Sequence, residues 1–238
     1  MTNAILMASG LGTRMRPLTE TTPKPLIKVG SVPMIETVIR ALNNINIGNI
    51  YVVVGYLGEQ FEYLTKKYKN VQIVKNPDYR TINNISSIYH AANKLLDDDC
   101  YICEADLYIS DENLLNATPN YSCYFGKMVK GYSQDWVFEL GDNEYITRVG
   151  KYGTDCYNMV GISYFTQKDS AILSKAITDR YGKDGYETLF WDDVVNENLD
   201  KLKLKICPVK DTQITEIDTV EELNEINKRV QNGSRKIN

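Results

Sequence analysis

Apolar residues in the first half of the chain come at two alternating spacings. Residues 4–8, 50–54, 71–74 and 101–103 are short apolar runs, several rich in β-branched residues, that suit strands buried on both faces. Stretches with helical spacing lie between them. One opens at Pro33 and sets Met34, Val38, Ala41 and Leu42 on one face; others span 59–68, with Phe61 and Leu64 inward, and 84–96. Strand and helix alternating in this way predict an α/β fold with a doubly wound, mostly parallel sheet.

The second half changes character. Residues 121–129, 136–140, 145–149 and 158–165 read as strands joined by turns, one of them Gly141-Asp142-Asn143. They predict an antiparallel hairpin extension on the parallel core. Helical patterns follow at 168–181 and 187–198, then a strand at 202–206 and a last helix from about residue 220. With no repeat, low-complexity tract or long linker, we expect one domain over 1–231 and a polar tail at 232–238. Within it, about 1–120 would form one half and about 121–218 the other.

Composition removes several classes of function. Of 238 residues, 27 are Lys or Arg and 31 Asp or Glu, a net charge of −4 without a basic cluster. That gives no footprint for nucleic acid and none for an anionic membrane. No run reaches membrane-spanning length, and the N-terminus lacks a basic leader. Five cysteines, an odd number, predict reduced thiols in a cytoplasmic protein rather than a disulfide framework. Cys100 and Cys103 form a C-x-x-C, but inside a strand-like run that sends them to opposite faces. One histidine, His90, leaves little basis for a Cys/His zinc site.

Candidate chemistry begins where the first strand ends. Gly10-Leu11-Gly12-Thr13-Arg14-Met15-Arg16-Pro17-Leu18-Thr19 is followed by Pro23-Lys24-Pro25-Leu26. Ligands of open α/β sheets bind at such strand ends. Glycines there let backbone N–H groups face an anion, Arg14 can fork onto phosphate oxygens, and Lys24 is a point charge between two prolines. The dinucleotide fingerprint is excluded because the third glycine is missing and no short helix follows at once. A Walker loop is excluded because no G-K-[ST] occurs. Two cations this early in a glycine loop suggest attack at the α-phosphorus of a triphosphate, driven by charge neutralisation and alignment.

This string resembles the signature of the nucleotidyltransferase family that includes sugar-phosphate nucleotidylyltransferases and bacterial phosphocholine cytidylyltransferases. The likeness runs from Ala4 to about Leu223. It implies a Rossmann-like fold, a triphosphate held by Gly10 to Arg14, and catalytic roles for Arg14 and Lys24. The nucleotide site it implies comprises Leu6, Ala8, Ser9, Gly10, Gly12, Thr13, Arg14, Gly55, Tyr56, Asn84 and Ser87. Pyrophosphate would leave as an acceptor phosphate oxygen attacks.

Acidic residues supply a candidate metal site. Asp106 ends the fourth strand in Glu104-Ala105-Asp106, and Mg²⁺ takes one or two carboxylates plus substrate phosphates. Asp218 resembles the family's second metal ligand, although Asp218 or Thr219 also suits a helix N-cap, and the two roles are compatible. Asp97-Asp98-Asp99 reads as a solvated turn.

The acceptor is read from what replaces a glycine-rich sugar motif. The string Asn83-Asn84-Ile85-Ser86-Ser87-Ile88-Tyr89 resembles phosphocholine and aminoethylphosphonate cytidylyltransferases, although Asn84 would equally cap the helix after it. A quaternary ammonium is held by aromatic faces and nearby negative charge. Trp136, Phe190, Trp191 and Tyr89 are the candidate walls, with Asp192 balancing the cation; core packing is the ordinary alternative for each ring. CTP and phosphocholine are the expected partners, in the second half of the chain for the acceptor. Phosphoethanolamine, 2-aminoethylphosphonate and sugar 1-phosphates are alternative acceptors, and a silent nucleotide-binding module is the alternative to an enzyme. The resemblance leaves open a homodimer, or a choline kinase fused to the chain or acting beside it.

Overall fold

The computed structural model describes residues 1–96, 98–117, 119–210 and 212–234. Asp97 of the acidic turn and residues 235–238 of the tail lie outside the described residues. In chain order the elements are β1 (Asn3–Ala8), β2 (Lys28–Val29), β3 (Val32–Pro33), α1 (Met34–Asn44), β4 (Ile50–Val54), α2 (Tyr63–Lys67), β5 (Val71–Lys75), α3 (Ile85–Ala91) and β6 (Cys100–Glu104). They continue with β7 (Leu107–Ile109), β8 (Cys123–Leu140), β9 (Ile146–Phe165), α4 (Gln167–Arg180), α5 (Trp191–Asn196), β10 (Lys205–Pro208), β11 (Ile214–Glu216) and α6 (Val220–Ser234).

Strand order is β10-β8-β9-β6-β1-β4-β5. β6, β1, β4 and β5 run parallel, while β9 is antiparallel to both β6 and β8. This is the doubly wound sheet with an antiparallel extension that the sequence predicts. Alternate residues of each central strand feed different cores. Ala4, Leu6, Val52, Tyr101 and Cys103 pack with Ile35, Val38 and Leu42 of α1. Ile5, Val53, Cys100 and Ile102 pack with α3, α4 and α5 on the other face. Cys100 and Cys103 therefore point oppositely, as expected, and burial pushes both thiols above their ordinary pKa.

The four short strands expected in the second half are segments of two long, bent ones. Val137 and Phe138 pair with Asn158 and Tyr157 on one side and with Gly150 and Val149 on the other. Register shifts let β8 and β9 fold back so that one ladder becomes a small sheet. Gly141 donates its N–H to Tyr145 O at 2.9 Å, closing the turn read from Gly141-Asp142-Asn143. The helix expected at 59–68 is split into a 3₁₀ turn and α2, and α3 ends at Ala91 in another 3₁₀ turn. The helix expected at 187–198 is shorter, Trp191–Asn196.

Two ribbons too short to read from the sequence matter most for the site. β2 pairs with β3, and α6 packs on this hairpin through Leu223 and Ile226, against Met15, Val29 and Met34. β7 pairs antiparallel with β11, with Leu107 opposite Glu216. That pairing carries the chain after β11 back to the end of β6.

Candidate active site

A cleft of about 310 Å³ opens at the C-terminal ends of β1 and β6. Met7, Ala8, Ser9, Gly10, Gly12, Thr13, Arg14, Lys24, Asn84, Ser87, Asp106 and Asp218 line it, together with Pro25, Glu104 and Glu216. Most of the expected nucleotide and metal residues are thus brought together.

The glycine loop is held by side chains from below. Gly12 sits in the left-handed region, φ 60° and ψ 36°. A Cβ there would lie 2.9 Å from Lys24 Cβ and 3.0 Å from Thr19 Cγ2, so glycine is required by conformation and by space. Thr19 Oγ1 donates to Gly12 O at 2.8 Å, Ser9 Oγ to Val53 O at 3.0 Å, and Tyr56 Oη to Thr19 O at 2.9 Å. No short helix was expected directly after the loop, yet one 3₁₀ turn, Thr13–Met15, follows Gly12; the missing third glycine still excludes the dinucleotide fingerprint.

Lys24 is the centre of the charge array. Its Nζ lies 2.7 Å from Asp106 Oδ2 and 2.5 Å from Asp218 Oδ1, and only 9% of its side chain is exposed. Burial works against the ammonium, but Asp106 and then Asp218 outweigh it and hold its pKa above the usual lysine value. Arg14, largely exposed, reaches Asp218 Oδ2 at 2.7 Å. The β7–β11 ribbon explains how residues 106 and 218 meet: Asp106 directly precedes β7, Asp218 comes two residues after β11, and antiparallel pairing sets that start beside that end. Thr219 and Glu222 cap α6. Glu222 N–H donates to Thr219 Oγ1, and the Glu222 carboxylate accepts the N–H groups of Asp218 and Thr219 at 2.7 and 2.9 Å. The Asp218 carboxylate is therefore free of capping and faces the cleft.

A second compartment of about 470 Å³ adjoins the first and shares Arg14, Glu104, Glu216 and Asp218 with it. Trp136, Phe190, Asp135, Lys151 and Met159 line it as well, with Gln134, Gly161 and Glu222. Trp136 and Phe190 meet edge to face with centroids 5.2 Å apart, and Lys151 Nζ lies 5.7 Å over Phe190. Glu104 and Glu216 were not anticipated. Burial, then Glu216, Asp106 and Asp192, hold the Glu104 pKa well above the carboxylate range. Glu216 is exposed as a residue at the mouth, yet crowding around its carboxyl and the charges of Asp218 and Asp106 push its pKa up to about 7. The signal was available: Glu104-Ala105-Asp106 and Glu216-Ile217-Asp218 repeat one spacing, which in extended chain puts both acids on one face.

Other expected residues stand elsewhere. Leu6 is fully buried under α1, because on β1 its neighbour Met7 takes the cleft-facing position. Gly55 lies beneath Tyr79, whose ring a Cβ would strike at 2.6 Å. Tyr56 braces the loop and is not among the cleft's lining residues. Tyr89 stacks on Tyr181 at 3.6 Å beside His90, away from both compartments. His90 Nε2 lies 2.7 Å from Asp78 Oδ2. Trp191 is a core residue, 3% exposed, stacked on Tyr124 and edge-on to Phe165. Asp192 is buried beside it and accepts the Tyr124 hydroxyl at 2.8 Å. Burial pushes the Asp192 pKa up to about 7 against that hydrogen bond. Asn84 does not cap α3 with its side chain; its Oδ1 accepts the Trp191 N–H at 2.9 Å. Among the described residues no cluster of three or more His, Cys, Asp or Glu has metal-binding geometry, and no helix is long and apolar enough to cross a membrane.

A glycine loop, a buried lysine between two aspartates and an adjoining compartment are the parts of a nucleotide-transfer site, and a family model described as "Nucleotidyl transferase" matches residues 3–124. The chain belongs to the nucleotidyl transferase family. A 2-aminoethylphosphonate cytidylyltransferase of Lancefieldella rimae is 54% identical to this nucleotidyl transferase over 93% of the chain and 90% of that protein. A choline-phosphate cytidylyltransferase of Streptococcus pneumoniae is 31% identical over 96% of the chain and 98% of that protein. A solved CTP:phosphocholine cytidylyltransferase structure from Streptococcus pneumoniae superposes with a TM-score of 0.88 at 31% identity, covering 96% of this chain and 99% of that one.

Proposed function

We propose that the chain transfers CMP from CTP to 2-aminoethylphosphonate, releasing pyrophosphate. The observation that carries this reading is the placement of Glu104, Asp135, Glu216 and Asp218 around the second compartment, four carboxyl groups set where a cationic head would sit. A primary ammonium donates hydrogen bonds to such acids; a trimethylammonium cannot. The 54% identity to a 2-aminoethylphosphonate cytidylyltransferase supports the same acceptor.

In this reading the loop N–H groups and Arg14 hold the triphosphate, and Lys24 sits at the α-phosphoryl group as charge builds there. A phosphonate oxygen of the acceptor forms the new bond to the α-phosphorus as the bond to pyrophosphate breaks. Asp106 and Asp218 converge on one cation, Lys24 Nζ, and two carboxylates with phosphate oxygens are a donor set that suits magnesium. When bound, magnesium would supply charge neutralisation at the phosphates.

Phosphocholine is the second reading. It is favoured by the Trp136–Phe190 pair, an apolar corner open to a cationic head, and by the 31% relative. Against it, Trp191 and Tyr89 are absent from the wall, and Lys151 already lies over Phe190. Pyrophosphate release from CTP with magnesium, measured for 2-aminoethylphosphonate, phosphoethanolamine and phosphocholine, tests the choice. We expect kcat/KM to favour 2-aminoethylphosphonate over phosphocholine by at least about tenfold. Equal or reversed preference removes the proposed acceptor.

A further inference from the structure

One buried amide behind the cleft dictates what a hydroxyl on the cleft wall can do. Asn76 follows β5 and is 2% exposed. Its Oδ1 accepts the backbone N–H of Asp78 at 3.0 Å, so its Nδ2 must face the other way. There it donates to Ser86 Oγ at 2.9 Å and Ser87 Oγ at 3.3 Å. Reversing the amide would set an NH₂ group against the Asp78 N–H, so the protein itself fixes the orientation.

The two serines are not equivalent. Ser86 Oγ accepts from Asn76 and donates to Asn83 O at 2.8 Å, which uses its proton. Ser87 Oγ also accepts from Asn76, but among the described residues no protein group takes its proton. Ser87 lines the cleft. Its hydroxyl is therefore a donor toward whatever occupies the cleft. Asn84 is fixed in the same sense: its Oδ1 is taken by the Trp191 N–H, which leaves its NH₂ group to the cleft it lines. Residues 84 and 87 are one helical turn apart and share a face.

Two neighbouring donors ask for two neighbouring acceptors. On its Watson–Crick edge cytosine offers O2 and N3 side by side. Uracil interposes N3–H between O2 and O4, adenine pairs N1 with an amino group, and guanine presents two donors beside O6. A site of fixed donors rejects a base that puts N–H where a lone pair belongs.

We propose that Asn76 is a specificity-determining positioning residue, holding Ser87 as a hydroxyl donor into the cleft so that the pocket selects cytosine over uracil. This rests on the cytidylyl reading above. Asn76→Asp keeps the bond from Asp78 but turns the other atom into an acceptor. Ser87 then donates backward and offers a lone pair to the cleft. CTP and UTP binding by calorimetry, and kcat/KM for each with a saturating acceptor, should show the CTP:UTP ratio falling by at least about tenfold. Ser87→Ala should also lower the ratio, and Asn76→Asp should lower it no further in the Ser87→Ala background. An unchanged ratio in either single variant, or additive losses in the double variant, overturns the proposal. If Asn76→Asp fails to fold by circular dichroism, the Ser87→Ala ratio decides alone. Wild-type protein that binds CTP and UTP alike defeats the cytidylyl reading itself, and the proposal with it.

Discussion

The two compartments of the site are built on different principles. The proposed phosphate-holding part of the first compartment is one contiguous stretch, Gly10 to Lys24, set on the ends of parallel strands and locked by hydrogen bonds from Thr19, Ser9 and Tyr56. The proposed acceptor side is assembled from Glu104, Trp136, Lys151, Phe190 and Glu216, which β6, β8, β9, the residue before α5 and β11 bring together. Phosphate recognition uses backbone N–H groups and a few charges at fixed spacing, so it is local. Recognition of a small cationic head needs side chains from several directions, so it is spread along the chain. The comparison teaches that the first compartment should fail all at once and the second by degrees.

Lys24→Ala is the largest expected failure. The substitution leaves Asp106 and Asp218 facing each other without the ammonium that holds both. kcat should fall by about 10³-fold, on the order of 4 kcal/mol, with far-ultraviolet circular dichroism unchanged. Turnover within tenfold of wild type would take Lys24 out of the reaction and the comparison with it.

Asp192→Asn asks whether the acid beside the acceptor compartment belongs to the core or the site. Burial holds the Asp192 pKa at about 7 in the fold, above its ordinary value, so folding favours the neutral acid. The associated stability is complete below about pH 4 and is lost as pH rises through about 7, up to about 4 kcal/mol. The amide keeps an acceptor for Tyr124 Oη and has no charge to bury. Thermal unfolding at pH 5 and pH 8 should show the wild type losing more stability than Asp192→Asn, while the acceptor KM stays within about twofold. A several-fold KM rise with no change in the pH slope would return Asp192 to the site.

The same division explains what the sequence could be made to say. The glycine loop, Lys24, Asp106 and the parallel strands were legible because each depends on neighbours within a few positions. Trp191 was read as an acceptor wall because it stands beside Asp192, yet Trp191, Val194 and Val195 form an i, i+3, i+4 stripe that marks it as core. Phe190, one residue earlier, precedes α5 and its ring lines the compartment. Glu216 went unread although Glu216-Ile217-Asp218 repeats the spacing of Glu104-Ala105-Asp106, because β7 and β11 are three residues long and it is their register that brings residues 106 and 218 together.

The two tryptophans sharpen that point. Trp191→Ala should cost about 3 kcal/mol of stability or more, through a cavity beside Tyr124 and Phe165. Its effects on CTP and acceptor should be alike. Trp136→Ala should raise the acceptor KM by about tenfold, roughly 1.4 kcal/mol, with the CTP KM and melting temperature nearly unchanged. Reversal of the two patterns would exchange their assignments.

The smallest effect separates two adjacent residues. Thr219 Oγ1 accepts the Glu222 N–H, while the Asp218 carboxylate points the other way, to Lys24 and Arg14. Thr219→Ala should cost about 1 kcal/mol of stability and leave kcat within twofold, because Glu222 still accepts the N–H groups of residues 218 and 219. Asp218→Asn should do the reverse, cutting kcat by about a hundredfold while α6 stays capped. Chemical unfolding and pyrophosphate release on the two variants decide it. If Thr219→Ala cuts kcat as deeply as Asp218→Asn, helix cap and reaction site are one mechanical unit, and the nucleotide compartment depends on α6 as much as on its own loop.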